Sequence, residues 1–252
     1  DELFAGYEKY ARLFDGESAS GSHASFMQTL MDSVRLFQPE RIEQLAGKQK
    51  RDRYGEMAHT YVAGLLSDVP GFDRINQALY VDCRMLLPGN NLVKPDRMGM
   101  ARSLEARTPF LDYRMVEYAF GLPGHAKLTG GETKYILKKA VAPLIGDNLT
   151  YRKKQMFTVP IGEWMKDRLR GQTREMLGEK GLAARGMFDH NVISTMVDEH
   201  IAGTRNHTRE LRALVAIEIW IREFVEGTYV RKAYWGAGQR RSLGAGTLGS
   251  QV

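Results

Sequence analysis

Residues 92–112 read LVKPDRMGMARSLEARTPFLD, and the rest of the fold has to accommodate this unusual stretch. Seven of its twenty-one positions are charged, two prolines bracket most of the charges, and large apolar residues are interleaved without a clean period. Buried charge costs free energy unless it is paired. We therefore predict a half-buried polar network here, which holds a ligand or supports a site.

The sequence on either side predicts a chain that is mostly α. Apolar residues recur at three- and four-residue spacing, and strand signals are few. The predicted helices cover residues 1–14, 26–37, 50–66, 72–86, 113–120, 133–144, a short segment opened by Pro160, 189–201 and 208–226. We predict a turn at 88–91 and, because the last helix is apolar on two stripes, a buried closing helix. Residues 1–227 are expected to form one domain, whose sheet belongs to a preceding part of a longer protein.

Composition excludes several classes of protein. The net charge is +6, but four basic residues and no acid follow Glu226, which leaves about +2 before that point. We expect residues 228–252 to be a disordered, basic, Gly-rich tail, and we expect neither nucleic-acid nor membrane binding. The lone Cys83 excludes a disulfide scaffold and fits a cytoplasmic location. The opening Asp-Glu-Leu-Phe lacks an initiator Met, so we expect a fragment.

Lys134 is the first candidate for chemistry. It follows Gly130-Gly131 and is predicted in the first turn of a helix, where free backbone N–H groups and the helix dipole favour an anion. A mobile ammonium there suits a phosphoryl group whose negative charge grows in a transition state. The alternative is a solvated lysine at an exposed helix start.

The charged stretch supplies further candidates. Lys94 and Arg97 are three residues apart in a predicted turn, so both could bind one carboxylate or phosphate, unless Asp96 neutralises them. Behind this site we expect a buried ion network made by three more charged residues: Glu105, Arg107 and Asp112.

The start of the chain and a later basic loop also carry candidates. Asp1 and Glu2 are adjacent carboxylates that could serve Mg²⁺, although acids are also ordinary partners of a helix dipole. Residues 152–157 (RKKQMF) suit an anion or are simply solvated. The sequence contains neither common Gly-rich phosphate loop. By itself, the chain predicts an anion-binding half-site without a nucleotide cradle.

These motifs, in this order, resemble the C-terminal synthetase domain of glutamine-hydrolysing asparagine synthetases. Residues 1–7 match D-E-L-F-x-G-Y, and residues 87–112 follow L-P-x-x-L-L-x-K-x-D-R-x-S-M-A-x-S-L-E-x-R-x-P-F-L-D. A lysine-initiated helix comes next at Lys134, then R-x-K-x-G-F-x-x-P-I-x-x-W at 152–164 and L-E-x-W at 217–220. The resemblance covers about residues 1–226.

The resemblance implies the C-terminal helical part of an α/β adenine-nucleotide α-hydrolase-like (ATP-pyrophosphatase) domain. In that family, ATP adenylates the side-chain carboxylate of aspartate and releases pyrophosphate, and ammonia then displaces AMP to give asparagine. The ammonia comes from glutamine, hydrolysed by an N-terminal domain. The resemblance therefore implies ATP and Mg²⁺ as cofactors and aspartate and glutamine or ammonia as substrates, and it leaves a homodimer open.

The resemblance also implies roles for single residues. Lys134 resembles the catalytic lysine that stabilises charge on the phosphates. Asp1 and Glu2 are expected beside pyrophosphate and Mg²⁺, with Asp1 as the metal ligand, and Tyr7 is expected to line the adenylate pocket. Three residues of the charged stretch are expected to face the aspartate or phosphate groups: Lys94, Asp96 and Arg97.

The chain departs from the family pattern in ways that bear on function. The S-G-G-x-D-S loop that grips pyrophosphate and the glutaminase domain are absent from these 252 residues, so we expect the chain to be inactive alone. Gly99 replaces the usual serine, and Met156 replaces the usual glycine of the basic loop. Two alternatives stay open: a related β-lactam-forming or peptide-modifying amidotransferase that adenylates another carboxylate, and a non-catalytic helical module whose basic tail docks an acidic partner.

Overall fold

The computed structural model describes residues 2–14, 22–153 and 159–227, and it confirms that the chain is mostly helical. The chain divides into two compact units, Asp1–Glu43 with Gly47–Thr158 and Gln44–Ala46 with Val159–Val252. The predicted tail at 228–252 lies outside the described residues. Within the described ranges, each helix is too short or too polar to cross a membrane.

The first unit is a set of helices with one small hairpin. Its helices are α1 (Glu8–Leu13), α2 (His23–Val34), the first part of α3 (Pro39–Ala46), α4 (Lys48–Ser67), α5 (Arg74–Arg84), α6 (Val93–Met100), α7 (Tyr113–Gly121), α8 (Gly124–Lys127), α9 (Tyr135–Ile145) and α10 (Asp147–Thr150). A π-helical turn, Leu87–Leu92, leads into α6, and a 3₁₀ turn, Pro109–Leu111, precedes α7. Two antiparallel strands, β1 (Leu128–Thr129) and β2 (Glu132–Thr133), join α8 to α9.

The main core of the first unit lies among α1, α2, α4 and α5. Tyr10, Leu30 and Leu79 are completely buried in it, and each large apolar side chain that leaves water contributes roughly 1.5–3 kcal/mol. A smaller cluster packs Leu3 and Phe4 against partly buried side chains of α7 and α9. The residues that precede α1 are therefore held against the helix that follows Lys134.

A buried lysine ties α8 to α5. Lys127 is fully buried, and its Nζ donates to Oδ1 of Asn76 at 2.7 Å and lies 4.8 Å from the ring centroid of Phe120. Burial lowers the pKa of Lys127 to about 8, although the nearby Asp73 carboxylate opposes this change. Asp73 itself accepts from the backbone N–H of Asn76 at 3.0 Å and of Gly124 at 2.8 Å. This polar junction fixes the start of α5 against the start of α8.

The second unit is built from four helices and the end of α3. The helices are α11 (Ile161–Lys166), α12 (Arg170–Leu177), α13 (His190–Ala202) and α14 (Thr208–Trp220), with a 3₁₀ turn at Leu182–Arg185 and a π-helical end at Ile221–Val225. Asp189 caps α13 by accepting from the N–H of Asn191 at 2.8 Å, and Gly203 ends it with a φ of 74°. Leu177, Ile193 and Leu211 are fully buried in its core.

A buried ion cluster closes the second unit. The carboxylate of Glu218 is fully buried and accepts from Arg185 through Nε at 2.6 Å and Nη2 at 3.0 Å. Nε of Arg222 donates to the same carboxylate at 2.5 Å. Burial alone would raise the pKa of Glu218, but the two guanidinium groups lower it. Because both charges of each pair are satisfied, burial is tolerated here.

Several local predictions are confirmed. The Asp112 side chain caps α7 by accepting from the N–H of Arg114 at 3.0 Å, Pro160 precedes α11, and Gly203 ends α13. The closing helix buries one of its two apolar stripes, through Leu211 and Leu214. Its other stripe is half-buried at Ala213 and Ile217 and exposed at Trp220 and Phe224.

Other predictions are wrong. Residues 88–91 are helical, since Pro88 occupies a first-turn position where its missing N–H has no cost. Lys94 and Arg97 consequently lie on α6 and not in a turn. The helices α3 and α12 were not predicted from the sequence.

Candidate active site

A cavity of about 390 Å³ in the first unit brings together the start of the chain and the start of α9. Its walls come from residues 2–4, from Leu87 and Leu92 of the π-helical turn, from residues 107–111, and from Lys134 and Leu137. Most of this lining is apolar, and of its charged side chains Glu2 is buried whereas Arg107 is exposed at the rim.

Lys134 lines this cavity from the N-cap of α9, one residue before the helix and not in its first turn as predicted. Its backbone is left-handed, with φ 57° and ψ 29°, which for a residue other than glycine costs about 1–2 kcal/mol. Its N–H donates to the carbonyl of Phe4 at 3.1 Å. That bond couples the lysine turn to the segment that carries Glu2.

Glu2 lies on the same cavity wall and belongs to a hydrogen-bonded triangle. The Tyr7 hydroxyl donates to Oε1 of Glu2 at 2.5 Å, and Nδ2 of Asn91 lies 2.6 Å from both Oε1 of Glu2 and the hydroxyl oxygen of Tyr7. Burial alone would raise the pKa of Glu2, but the hydrogen bonds from Tyr7 and Asn91 contribute to lowering it. Glu2 is only 6% exposed, so the site holds a buried, ionised carboxylate.

A second polar layer supports the triangle from α5. The Tyr10 hydroxyl donates to Oδ2 of Asp82, and Nζ of Lys9 lies 2.5 Å from the same oxygen. The rings of Tyr7 and Tyr10 are 6.0 Å apart between centroids. Burial and the Asp82 charge raise the pKa of Tyr10. Sequence reasoning missed Lys9, Asp82 and Asn91, because their partners are distant in the chain or look like ordinary helix or turn residues.

Three other predicted contacts do not line this cavity. Lys94, Asp96 and Arg97 are exposed on α6 and are not part of the cavity lining. Asp1 and Met156, with the rest of residues 154–158, lie outside the described residues. The structure therefore brings together Glu2, Tyr7 and Lys134 among the predicted site residues.

The predicted buried ion network is wrong. Arg107 pairs with Glu105 at 2.8 Å, but the two side chains are 85% and 63% exposed. Asp112 pairs instead with Arg114, at 2.9 Å and also at the surface. Residues 101–110 are all exposed. A high density of charged residues does not by itself predict burial, because charged side chains are stable in solvent. In the described fold, these side chains are solvent-exposed.

A second opening in the first unit is larger, at about 520 Å³, but its chemistry is already accounted for. Asp73 in its wall is the helix cap that binds Gly124, and the guanidinium of Arg74 lies 5.5 Å from the Phe26 ring. In the described part of the chain, no group of three or more His, Cys, Asp or Glu side chains is placed to hold a metal ion. We take the cavity with Glu2 and Lys134 as the candidate site, because it brings together two of the predicted site residues.

The fold and site define a class of protein: a helical domain with a cavity lined by a buried carboxylate, a lysine at a helix start and an exposed arginine. A sequence model of asparagine synthase matches residues 1–222. The match covers most of the chain, and the chain belongs to the asparagine synthase family.

Relatives agree with this membership. The chain is 34% identical over 178 residues to a Mycobacterium tuberculosis (strain ATCC 25618 / H37Rv) protein named "Putative asparagine synthetase (glutamine-hydrolyzing)", covering 69% of the chain and 27% of the relative. It is 30% identical over 177 residues to asparagine synthetase (glutamine-hydrolyzing) 1 of Bacillus subtilis (strain 168), covering 70% of the chain and 27% of the relative. Amidase chyE of Penicillium rubens is 26% identical, covering 50% of the chain and 19% of the relative. The chain thus spans about a quarter of the length of the curated synthetases it matches. No solved structure matches it.

Proposed function

We propose that this chain is part of an ATP-dependent amidotransferase that makes asparagine from aspartate with glutamine-derived ammonia. The observation that carries the proposal is the cavity that Glu2 and Lys134 share, in a chain that belongs to the asparagine synthase family. Neither part is sufficient alone, because a fold hosts many activities and the residues of the site decide the chemistry.

The proposed reaction has two steps. An oxygen of the aspartate side-chain carboxylate attacks the α-phosphorus of ATP, the bond to the bridging oxygen breaks, and pyrophosphate leaves. Ammonia then attacks the acyl carbon, loses a proton, and expels AMP. Negative charge grows on the phosphates in the first step, and we assign its stabilisation to the ammonium of Lys134, with the exposed Arg107 as the other cation that lines this cavity.

The remaining residues receive supporting roles. Glu2 carries a negative charge in a cavity that Lys134 also lines, so the site favours a substrate with an ammonium group beside its carboxylates. Tyr7 holds that carboxylate through its hydroxyl. Asp1 as a contact to Mg²⁺–ATP, and Lys94, Asp96 and Arg97 as contacts to aspartate or phosphate, stay proposals because the described cavity does not include them.

The decisive assay is ATP–pyrophosphate exchange by the protein that the complete reading frame encodes, with and without aspartate. We expect aspartate-dependent exchange, and asparagine and AMP when glutamine is added. Residues 1–252 are assayed in parallel, and we expect no exchange from them alone. Exchange that is absent with every carboxylic acid tested would refute the proposed activity.

A related amidotransferase that adenylates another acid is the alternative to this proposal. The similarity to amidase chyE, over half of the chain, is compatible with it. Exchange assays with glutamate, β-amino acids and peptide carboxylates distinguish the two. Faster exchange with one of these acids than with aspartate would replace aspartate as the proposed substrate.

A further inference from the structure

The segment around Asn91 was predicted as a turn, yet it places an amide at the centre of the candidate site. Asn91 half-buries its side chain in the π-helical turn whose Leu87 and Leu92 line the cavity. Its Nδ2 lies 2.6 Å from Oε1 of Glu2, which is 89 positions away in the sequence. A contact over that separation fixes one part of the cavity wall to another.

The orientation of the Asn91 amide follows from its partners. Oδ1 of Asn91 accepts from Nδ2 of Asn90 at 3.1 Å, so the nitrogen faces Glu2 and Tyr7. The opposite orientation would direct an amide oxygen at a carboxylate oxygen. With two N–H groups, Nδ2 donates one to Glu2 and one to the Tyr7 oxygen, and the Tyr7 proton is then directed to Glu2. One amide therefore settles the direction of all three hydrogen bonds.

We propose that Asn91 is a positioning residue of this site: its amide fixes the Glu2 carboxylate in the orientation in which it faces the cavity with Lys134. The inference rests on the proposed function and adds a residue to it. Asn91 acts through Glu2, so its contribution disappears when Glu2 can no longer accept a hydrogen bond as a carboxylate. Replacing Asn91 by Leu keeps the approximate size of the side chain and removes both donors.

A double-mutant cycle in the complete protein tests the kinetic part. We expect Asn91→Leu to lower kcat for aspartate-dependent exchange about 10- to 100-fold, the worth of one hydrogen bond to a charged group, with a much smaller change in KM for ATP. In a Glu2→Gln background, the same change should cost less than about threefold. Asn91→Gln, which keeps the amide, should recover part of the rate. Asn148→Leu, on the exposed surface of α10, is the matched control and should leave exchange unchanged.

A spectroscopic measurement on residues 1–252 tests the geometry without activity. The side-chain amide signals of Asn91, assigned through Asn91→Leu, should shift in both Glu2→Gln and Tyr7→Phe. Unshifted signals, an unchanged kcat in Asn91→Leu, or an equal loss in both backgrounds would each overturn the inference. If the Asn91 amide signals shift in both variants but the complete protein performs no exchange with any acid, the proposed function is overturned. The positioning role of Asn91 in catalysis is then overturned with it.

Discussion

Replacing Lys127 by Met should change how the stability of the first unit depends on pH. The pKa of Lys127 falls from an ordinary 10.5 to about 8 because the ammonium is buried. At about 1.4 kcal/mol per pH unit, that difference corresponds to a cost of about 3 kcal/mol for the charged form at neutral pH. Methionine fills a similar volume without the charge, but it leaves Oδ1 of Asn76 without the Lys127 donor, which costs roughly 1–3 kcal/mol. The two terms nearly cancel at pH 7.

The pH dependence of the free energy of unfolding tests this reasoning better than its value at pH 7. Between pH 8 and 10.5 the unfolded lysine is protonated and the folded one is not, so the free energy of unfolding of the wild type rises with pH. The difference between wild type and Lys127→Met should therefore grow by about 3 kcal/mol across that interval. Below pH 8 the difference should be flat, because both states carry the proton.

The assay has to report on the first unit. The two tryptophans among the described residues, Trp164 and Trp220, both belong to the second unit, so the first unit needs another probe. Urea unfolding is better followed by pulsed hydrogen exchange and mass spectrometry of peptides from α5 and α8. Lys48→Met, at an exposed helix start, is the control. Its difference from the wild type in free energy of unfolding should not change between pH 8 and 10.5. A difference that stays constant within about 0.5 kcal/mol from pH 7 to 10.5 would show that Lys127 is not held in a buried, charge-disfavouring site.

Three further predictions concern single residues. Lys134→Ala should lower kcat for aspartate-dependent exchange about 10²–10³-fold in the complete protein, and a loss below threefold would remove it from the chemistry. Glu218→Gln should destabilise the second unit by roughly 3–5 kcal/mol at neutral pH, read by tryptophan fluorescence. Because the pKa of Glu218 is lowered, this difference should shrink as pH falls below the ordinary value of 4.5; equal urea midpoints at pH 7 would contradict it. Gly124→Ala should cost about 1–3 kcal/mol, since an added Cβ would lie 2.2 Å from Oδ1 of Asp73, whereas Gly121→Ala, with open space around it, should cost far less.

Short-range physics made much of the helical framework predictable. A cap such as Asp112 and a stop such as Gly203 act within one helical turn, so sequence spacing is sufficient to locate them. The apolar stripe of α14 also predicted that Leu211 and Leu214 are buried. The predicted buried surface of this helix was too large, because Trp220 is exposed. Proline misled the prediction at 88–91, where it begins a helical turn.

The candidate site was predictable only in part. Lys134 and Glu2 stand in recognisable motifs, but the contacts that hold Glu2 come from Asn91, and those of the layer behind it come from Asp82 of α5. Pairs separated by 72 or 89 positions leave no local pattern in a single sequence. Charge density also cannot say whether charges are buried, and the exposed pair of Arg107 and Glu105 shows the failure.

Under the proposed function, the left-handed backbone at Lys134 brings a steric cost and a chemical role to the same residue. Glycine adopts that conformation without steric penalty, so Lys134→Gly should yield a sturdier protein. Selection for folding stability alone would favour glycine at this position. A lysine kept at this position despite that steric cost is consistent with the charge-stabilising role proposed for Lys134.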